Sequence, residues 1–433
     1  MKKYNQNFVS KFLISNKNIE NNAYLWNMIG SMLMAFQSVF MLMILTRTVG
    51  LEEAGFFTIA NANANLFLTI GKYGMRNFQV SDLNNQFLFS EYRMSRAVTT
   101  TIMIAAAVVY LLFAAINNGY SMEKTQTILW MCLLKAIDSI EDVYHGLYQR
   151  YNRLDIASKA MTFRLLITVV LFGAGLILIQ ELLIVLIIST IISTLLFYVF
   201  TKWTMVEFKV DQNKTAWNNI GLLLKINFPL AAVAFFSFYI GNAPKYAIDA
   251  VLTDELQACY GFIAMPVFII GLLNNFIFNP MLYKISQMWN EKKVREFVWK
   301  IVIQTGIVVI ITITCIIGAY FMGVPVLSWI YNTDLQLYKM ELLILLIGGG
   351  FLGLSGLLTA VITIIRYQRK LMWNYAAMAI LAYFFSGSIV EKYGMIGAAI
   401  LYAVLMGGLC IGLIGIFIYG IYKVNKEREA ISS

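Results

Sequence analysis

Long apolar segments recur along the whole chain, and this feature restricts the fold more than any other. A sliding window of helix length finds twelve such segments. About 20 apolar residues are enough for a helix to cross a bilayer. Hydrophobic residues make up 60% of the 433 residues and charged residues 13%, against roughly 45–50% and about 25% in soluble domains. The sequence therefore predicts an all-α integral membrane protein and excludes a globular enzyme with one or two anchors. The predicted spans are residues 24–45, 55–74, 97–116, 127–147, 160–178, 182–200, 221–240, 258–282, 299–321, 342–365, 371–390 and 395–418.

The positive charge of the chain lies mainly in the connections between these spans. Most of the 33 Lys and Arg residues fall on the side of the membrane that also carries both termini. Cytoplasmic loops are enriched in Lys and Arg, so we expect both termini in the cytoplasm. Because the cations report topology, the net charge of +10 does not indicate a nucleic-acid partner. The cations assigned to the opposite side are Arg47, Lys124, Lys245, Lys339 and Lys392.

The spans divide into two sets of six. We expect an N-terminal six-helix lobe at residues 1–200, a cytoplasmic connection at 201–220 and a C-terminal six-helix lobe at 221–433. The external connections are too short for the active site of a membrane glycosyltransferase or polymerase, and no Walker A sequence is present. The four cysteines lie in apolar segments without the spacing of a metal site. We therefore expect no enzyme activity, no metal and no cofactor.

Polar side chains form stripes inside the first-half spans. Such residues are costly in a membrane and usually face a cavity or the interior of a helix bundle. In span 2 a stripe ends in two cations at the cytoplasmic mouth, and in span 4 Lys135 is predicted to be the one cation deep within a span. The residues predicted to line a polar cavity are Asn27, Asn61, Asn65, Thr69 and Gln149, and the cations on the same stripes are Lys72, Arg76 and Lys135.

The charged face of span 4 has two interpretations. Lys135 and Asp138 could form an intrahelical pair that stabilises the bundle, with His145 as a satisfied interior histidine. Alternatively the face lines a wet cavity, whose cations bind an anionic headgroup and whose acids Asp138, Glu141 and Asp142 are candidates for a coupling ion. An arriving anion would then compete for Lys135 and release Asp138 to take up a proton or sodium ion.

Two motifs of the first half resemble a known family. They are Thr-Ile-Gly-Lys-Tyr-Gly-Met-Arg-Asn-Phe-Gln-Val-Ser-Asp at 69–82 and Lys-Ala-Ile-Asp-Ser-Ile-Glu-Asp-Val-Tyr-His-Gly-Leu-Tyr-Gln-Arg-Tyr-Asn-Arg-Leu-Asp at 135–155. With Trp26, Asn27 and the turn at 50–55, they are similar to the Wzx-type polysaccharide flippases of the multidrug/oligosaccharidyl-lipid/polysaccharide exporter (MOP) superfamily. The twelve-span layout extends this resemblance over the whole chain.

The resemblance implies two six-helix lobes that form a V around a positively charged central cavity. It places Arg47 at the external end, where an anionic headgroup would leave, and the residues that it implies for contact with the diphosphate are Lys72, Arg76, Lys135 and Arg164. It also implies transport of an undecaprenyl-diphosphate-linked oligosaccharide from the cytoplasmic to the outer leaflet of a bacterial cell membrane, for surface polysaccharide biosynthesis. Transport would proceed by alternating access, with a proton or sodium gradient as the candidate driving force. The implied partners are the lipid-linked substrate, membrane lipids and other membrane proteins of glycan assembly.

Three other functions compete with this interpretation. A cation-coupled drug or metabolite antiporter of the same superfamily would have a mainly acidic and aromatic lining, which Lys135 and the basic mouth argue against. A membrane polysaccharide polymerase or ligase is disfavoured by the short external connections. A non-transporting scaffold of a glycan-assembly complex is compatible with the sequence.

Overall fold

The computed structural model describes residues 12–15, 18–82, 86–208, 216–278 and 281–432. Within these ranges every regular element is a helix and no strand is present. The helices of the first half are α1 (Ile19–Thr48), α2 (Leu51–Lys72), α3 (Met75–Ser81), α4 (Phe89–Asn117), α5 (Met122–Arg150), α6 (Leu154–Ile179) and α7 (Leu182–Thr204). Those of the second half are α8 (Trp217–Val251), α9 (Asp254–Phe278), α10 (Leu282–Asn290), α11 (Val294–Gly318), α12 (Val324–Tyr331), α13 (Lys339–Ile364) and α14 (Gln368–Ser432).

Over the described ranges these helices provide the twelve spans that the sequence predicts. The π-helical turn Ala319–Gly323 joins α11 to α12 in one span, and α14 contains two spans separated by Gly394, whose φ of 60° and ψ of −140° are not helical. In the described part, eight segments are both long and apolar enough to cross a membrane. The other long helices are α2 and α5, which carry the polar stripes, and α9, in which the side chains of 272 and 274–277 lie outside the described part.

Several helices begin earlier than the apolar segments predict. Helix α4 begins at Phe89 rather than 97, and α6 begins at Leu154 rather than 160. The added turns contain polar residues that are buried against neighbouring helices, such as Glu91 and Asp155. A hydropathy window scores such residues as loop, because it cannot register burial inside a bundle.

The chain divides into two compact units, Met1–Phe235 and Phe236–Ser433, so that the division falls within α8. The connection predicted at 201–220 includes residues 209–215, which lie outside the described part. All five prolines of the sequence lie in its second half. Pro229 and Pro244 lie in α8, Pro266 lies in α9 and Pro325 lies in α12, whereas Pro280 is not described.

Helix α5 is the central helix of unit 1. It packs against α2, α3, α4, α6 and α7, whereas α1 packs mainly against α6. Helix α2 ends where Tyr73 and Gly74 adopt left-handed conformations with φ of 51° and 63°, and α3 then begins at Met75. This break turns the chain so that α3 lies on α5. The polar face of α5 is therefore enclosed by protein on most sides. In unit 2, α13 packs against α9, α11 and α14.

Candidate functional site

The polar stripe of α5 is buried almost completely. Lys135, Asp138, Glu141, Asp142 and His145 are each 5–8% exposed. Their spacing of three or four residues places them along neighbouring faces of one helix. An ionised side chain at such a position must find partners, because an unpaired buried charge is very costly.

Arg164 of α6 is the main partner of these acids. Its Nε and Nη2 donate to the two carboxylate oxygens of Glu141 at 3.1 and 2.7 Å, and Nη2 also donates to Asp138. The remaining nitrogen, Nη1, donates to Ser193 Oγ on α7 at 2.9 Å. This is a bidentate contact of the kind that orients a guanidinium rigidly. Arg164 is 1% exposed and connects α5, α6 and α7.

The intrahelical pair predicted for α5 is present, but Asp138 is shared. Lys135 Nζ donates to Asp138 Oδ2 at 3.2 Å, while Asp138 Oδ1 accepts from Arg164. One carboxylate thus serves two cations. If an anion drew Lys135 away, Asp138 would remain paired with Arg164, so release of Asp138 requires more than the loss of Lys135.

A second branch of the network centres on Asp142. Arg96 of α4 donates from Nη2 to Asp142 at 2.8 Å and from Nη1 to the carbonyl of Gly71 at 2.7 Å. Arg76 of α3 lies 3.6 Å from the other oxygen of Asp142 and donates to Gln149 at 2.9 Å. Arg96 is 1% exposed, whereas the side chain of Arg76 is 30% exposed. Arg76 is therefore the cation of this branch that a ligand can reach.

We call the charge cluster the set Lys72, Arg76, Arg96, Lys135, Asp138, Glu141, Asp142 and Arg164. Lys72 is half-buried and, within the described residues, has no hydrogen bond or ion pair, although its charge acts on all three acids. Because the arginines and lysines outnumber the carboxylates, the cluster is cationic in this conformation. A cationic buried site attracts an anion more strongly than a solvated patch does.

The polar residues predicted to line the site have different positions. Asn61 borders a cavity of about 10 Å³ with Lys135, Asp138 and Arg164, which is room for about one water molecule. Asn65 donates to the carbonyl and the side chain of Asn61, and Thr69 donates to Leu66 of its own helix. Among the described groups of His, Cys, Asp and Glu, none converges in a metal-binding arrangement.

Two predicted residues lie away from the charge cluster. Arg47 is exposed at the end of α1. The whole of α2 separates it from Lys72, a length of about 33 Å at 1.5 Å per residue. Asn27 is exposed near the start of α1.

His145 is buried, and its Nε2 lies 3.8 Å from Glu141 Oε1, too far for a hydrogen bond.

The prediction that Lys135 is the one cation deep within a span is wrong. Arg96 lies two turns into α4 and Arg164 three turns into α6. The apolar segment begins at 97, so hydropathy alone places Arg96 in a connection. A signal was available, because Thr99 and Thr100 share a helix face with Arg96 and all three are buried.

Gly146 allows α3 to approach α5 closely. A Cβ atom at Gly146 would overlap the side-chain amide of Gln79, which donates to the carbonyl of Val143 at 3.1 Å.

We expect Gly146→Ala to displace Gln79, loosen the packing of α3 on α5 and lower the melting temperature of the protein. The cost of an unmet buried group is about 1–3 kcal/mol, more than the roughly 1 kcal/mol gained from alanine in a helix. The matched control is Gly221→Ala, where nothing lies within 4 Å of the added atom. Equal melting temperatures for the two variants would contradict close packing at Gly146.

Comparison with known proteins identifies the class of fold. No family model matches the chain. An inward-facing multidrug resistance transporter of the MATE family, in the MOP superfamily, aligns with a TM-score of 0.65 and 12% identity over 91% of this chain and 96% of that one. The lipid II flippase MurJ in an inward closed conformation aligns with a TM-score of 0.68 and 14% identity over 94% and 89%. The protein therefore has the same fold as these two proteins, an all-α membrane architecture of twelve helices in two six-helix lobes.

A relative from polysaccharide biosynthesis supports the resemblance found in the sequence. The chain is 25% identical over 396 residues to the capsular polysaccharide biosynthesis protein CapF of Staphylococcus aureus. The alignment covers 88% of this chain and 94% of CapF. Together with the fold, this similarity supports the resemblance to polysaccharide flippases that the sequence motifs indicate.

Proposed function

We propose that this protein is a flippase for an undecaprenyl-diphosphate-linked oligosaccharide. It would move the repeat unit from the cytoplasmic to the outer leaflet of a bacterial cell membrane during surface polysaccharide biosynthesis. The observation that carries the proposal is the cationic charge cluster, in which Lys72 and Arg76 are the accessible members and the other cations are engaged with acids. A diphosphate is a compact anion that matches this excess of positive charge.

The burial of each cation in the charge cluster indicates whether it binds the substrate or pairs with an acid. Arg76 is fixed at its Gln149 contact and half-open to solvent, so it can exchange a weak contact with Asp142 for a phosphate oxygen. Lys72 adds a second charge, which has no hydrogen bond or ion pair among the described residues. The fully buried Arg96 and Arg164 hold the acids and keep them from neutralising the two accessible cations.

The sugars and the lipid make opposite demands on the protein. A hydrophilic oligosaccharide needs a polar path through the bilayer, whereas the polyprenyl chain can remain in lipid. Alternating access meets both demands without breaking a covalent bond. We therefore propose a transporter without enzyme activity or bound cofactor, with the glycan-assembly proteins of the same membrane as its partners.

We propose a proton or a sodium ion as the coupling ion, with Asp138, Glu141 and Asp142 as the candidate sites. These are the acids of the charge cluster, and an ion gradient can drive transport only if the ion binds more tightly to one conformation of the protein than to another. Binding of a diphosphate to Lys72 and Arg76 would weaken the hold of Arg76 on Asp142. Asp142 is thus the acid most directly affected by the substrate.

The function can be tested by complementation. In a bacterium that lacks its own flippase for a given surface polysaccharide, the wild-type chain should restore the polymer at the cell surface. Lipid-linked precursor should accumulate without it. Resistance to cationic drugs with no effect on the precursor would instead support an antiporter.

The proposed topology places both termini in the cytoplasm. After the native cysteines are replaced, single cysteines at Asn118→Cys and Leu337→Cys should react with an impermeant thiol reagent added to intact cells. Both positions are exposed in the structure. Arg93→Cys, an exposed position at the opposite end of α4 from Asn118, should be protected until the cells are opened. Labelling of Arg93→Cys in intact cells would reverse the orientation.

A further inference from the structure

A groove on unit 2 has no role in the proposed transport. It has a volume of about 850 Å³ and lies between the first turns of α11 and the later part of α14. Its lining residues are Val294, Arg295, Glu296, Val298, Trp299, Val302 and Ile421. A volume of this size is sufficient for a drug-sized ligand or a lipid chain.

The groove is polar at one end and apolar at the other. Arg295 and Glu296 lie in the first turn of α11, and Val302 lies two turns further along the same helix. That distance is about 10 Å. The positive-inside pattern puts the Arg295 end at the cytoplasmic surface and Val302 deeper in the membrane. An amphipathic ligand with a headgroup at Arg295 and a chain along Val298 and Val302 would fit this polarity.

The charge of the polar end favours an anion. Within the described part of the chain, the exposed Arg295 has no hydrogen bond or ion pair. Of the acids nearby, Glu291 is paired with Lys293 at 2.8 Å, and Glu296 lies in the field of the same lysine. Lys292 and Lys300 add two further cations to this segment. The backbone N–H groups at the start of α11 also favour negative charge.

An exposed aromatic side chain completes the groove. Trp299 is 65% exposed, and Val302 beyond it is 52% exposed. Tryptophan is enriched where helices cross the interface between headgroups and acyl chains. The combination of an unpaired arginine, an interfacial tryptophan and an apolar extension matches the headgroup, the glycerol region and the acyl chain of a phospholipid.

We propose that this groove binds an anionic phospholipid from the cytoplasmic leaflet. Arg295 contacts the phosphate, and Trp299 with Val298 and Val302 contacts one acyl chain. The site lies within unit 2 and is independent of the charge cluster in unit 1. Its occupation would therefore be unaffected by substitutions that remove transport.

Trp299 provides the readout. The full-length protein is reconstituted in phosphatidylcholine vesicles that contain a small fraction of phosphatidylglycerol, and bromine atoms are placed on the acyl chains of one lipid or the other. The chain has eight tryptophans, so the fluorescence of Trp299→Phe is subtracted from that of the wild type to isolate Trp299. We expect brominated phosphatidylglycerol to quench Trp299 about fivefold more effectively at equal content, the factor that corresponds to about 1 kcal/mol for one basic residue near an anionic lipid.

Two charge variants test whether Arg295 causes the preference for phosphatidylglycerol. Arg295→Gln should abolish the preference, whereas Arg93→Gln, which removes an exposed arginine from unit 1, should preserve it. Equal quenching by both lipids in the wild type would overturn the proposal. A preference for phosphatidylglycerol that remains in Arg295→Gln would also overturn it. Loss of the preference in both variants would overturn it too, because that result indicates a general attraction between the basic protein and anionic lipid. Displacement by undecaprenyl phosphate but not by unlabelled phosphatidylglycerol would assign the groove to a different lipid and also overturn it.

Discussion

Replacement of Arg164 by methionine should remove most of the protein from the membrane. The substitution leaves Glu141 without its bidentate partner and Asp138 with Lys135 alone, and both acids are buried. Breaking a buried ion pair by removing one partner costs about 3–5 kcal/mol, which is a large part of the stability of a typical domain. Membrane abundance and the melting temperature of the purified protein in detergent measure the effect.

The matched control and a compensating variant separate charge from packing. Arg93→Met removes an exposed arginine from the same unit and should change neither quantity. The double variant Arg164→Met and Glu141→Gln removes the acid that is left without a partner and keeps Asp138 paired with Lys135, so it should recover much of the lost abundance. If Arg164→Met is as abundant and as stable as the wild type but does not export glycan, Arg164 contacts the substrate, as the resemblance in sequence implies. Its pairing with Asp138 and Glu141 would then not be needed for stability.

Substitution of the two accessible cations should have the largest effect on transport. We expect Lys72→Gln combined with Arg76→Gln to lower export roughly 100-fold, because two charge-assisted contacts of about 1.5 kcal/mol each are lost. Abundance should be little changed, since Arg96 continues to hold Asp142. Arg76→Lys should recover only part of the activity, because a point charge replaces a bidentate fork. Surface polysaccharide and lipid-linked precursor are quantified in the same cells.

The control for this pair removes equal charge elsewhere. Arg93→Gln and Lys225→Gln replace exposed cations of unit 1 outside the charge cluster, so the double control should export normally. Normal export by the Lys72 and Arg76 variant would exclude both residues from capture of the headgroup. A parallel loss in the control would mean that general surface charge, and not the cluster, governs export.

The structure changes how the pair in α5 can be tested. A swap to Lys135→Asp and Asp138→Lys is the natural test for a pair seen in the sequence alone. In the structure the new lysine at 138 would face Arg164, so the swap places two cations together and would fail for either role of the pair. Lys135→Met with Asp138→Asn is the better variant, because it removes both charges and leaves Arg164 bound to Glu141.

The sequence predicts the helices of this protein better than it predicts their ends. Apolar runs report spans directly, because lipid excludes unpaired backbone groups. The first turns of α4 and α6 escape detection, because their polar residues are buried by neighbouring helices. The same burial hides Arg96 from a hydropathy window, although Thr99 and Thr100 lie on the same helix face.

The sequence also predicts the members of the site better than their partners. The spacing of Lys135 and Asp138 is local, so their contact follows from one helix. The contacts of Arg164 with Glu141 and of Arg96 with Asp142 join helices far apart in the chain. They depend on how helices pack, which periodicity does not encode. The prediction that Arg164 meets an anion therefore lacks these partners, because in the structure its guanidinium is paired with Asp138 and Glu141.

Transport by the reconstituted protein is the sharpest test of the proposal that the cationic cluster carries a diphosphate-linked oligosaccharide across the membrane. Purified protein is placed in liposomes with a fluorescent undecaprenyl-diphosphate oligosaccharide, and an impermeant reagent reports the fraction of headgroups on the outer surface. We predict that the wild type exposes nearly all headgroups with time, whereas the Lys72→Gln and Arg76→Gln double variant leaves the inner-leaflet fraction protected, as protein-free liposomes do. Protection by the wild type with an imposed proton or sodium gradient of either direction, or equal exposure by the double variant, would contradict the claim.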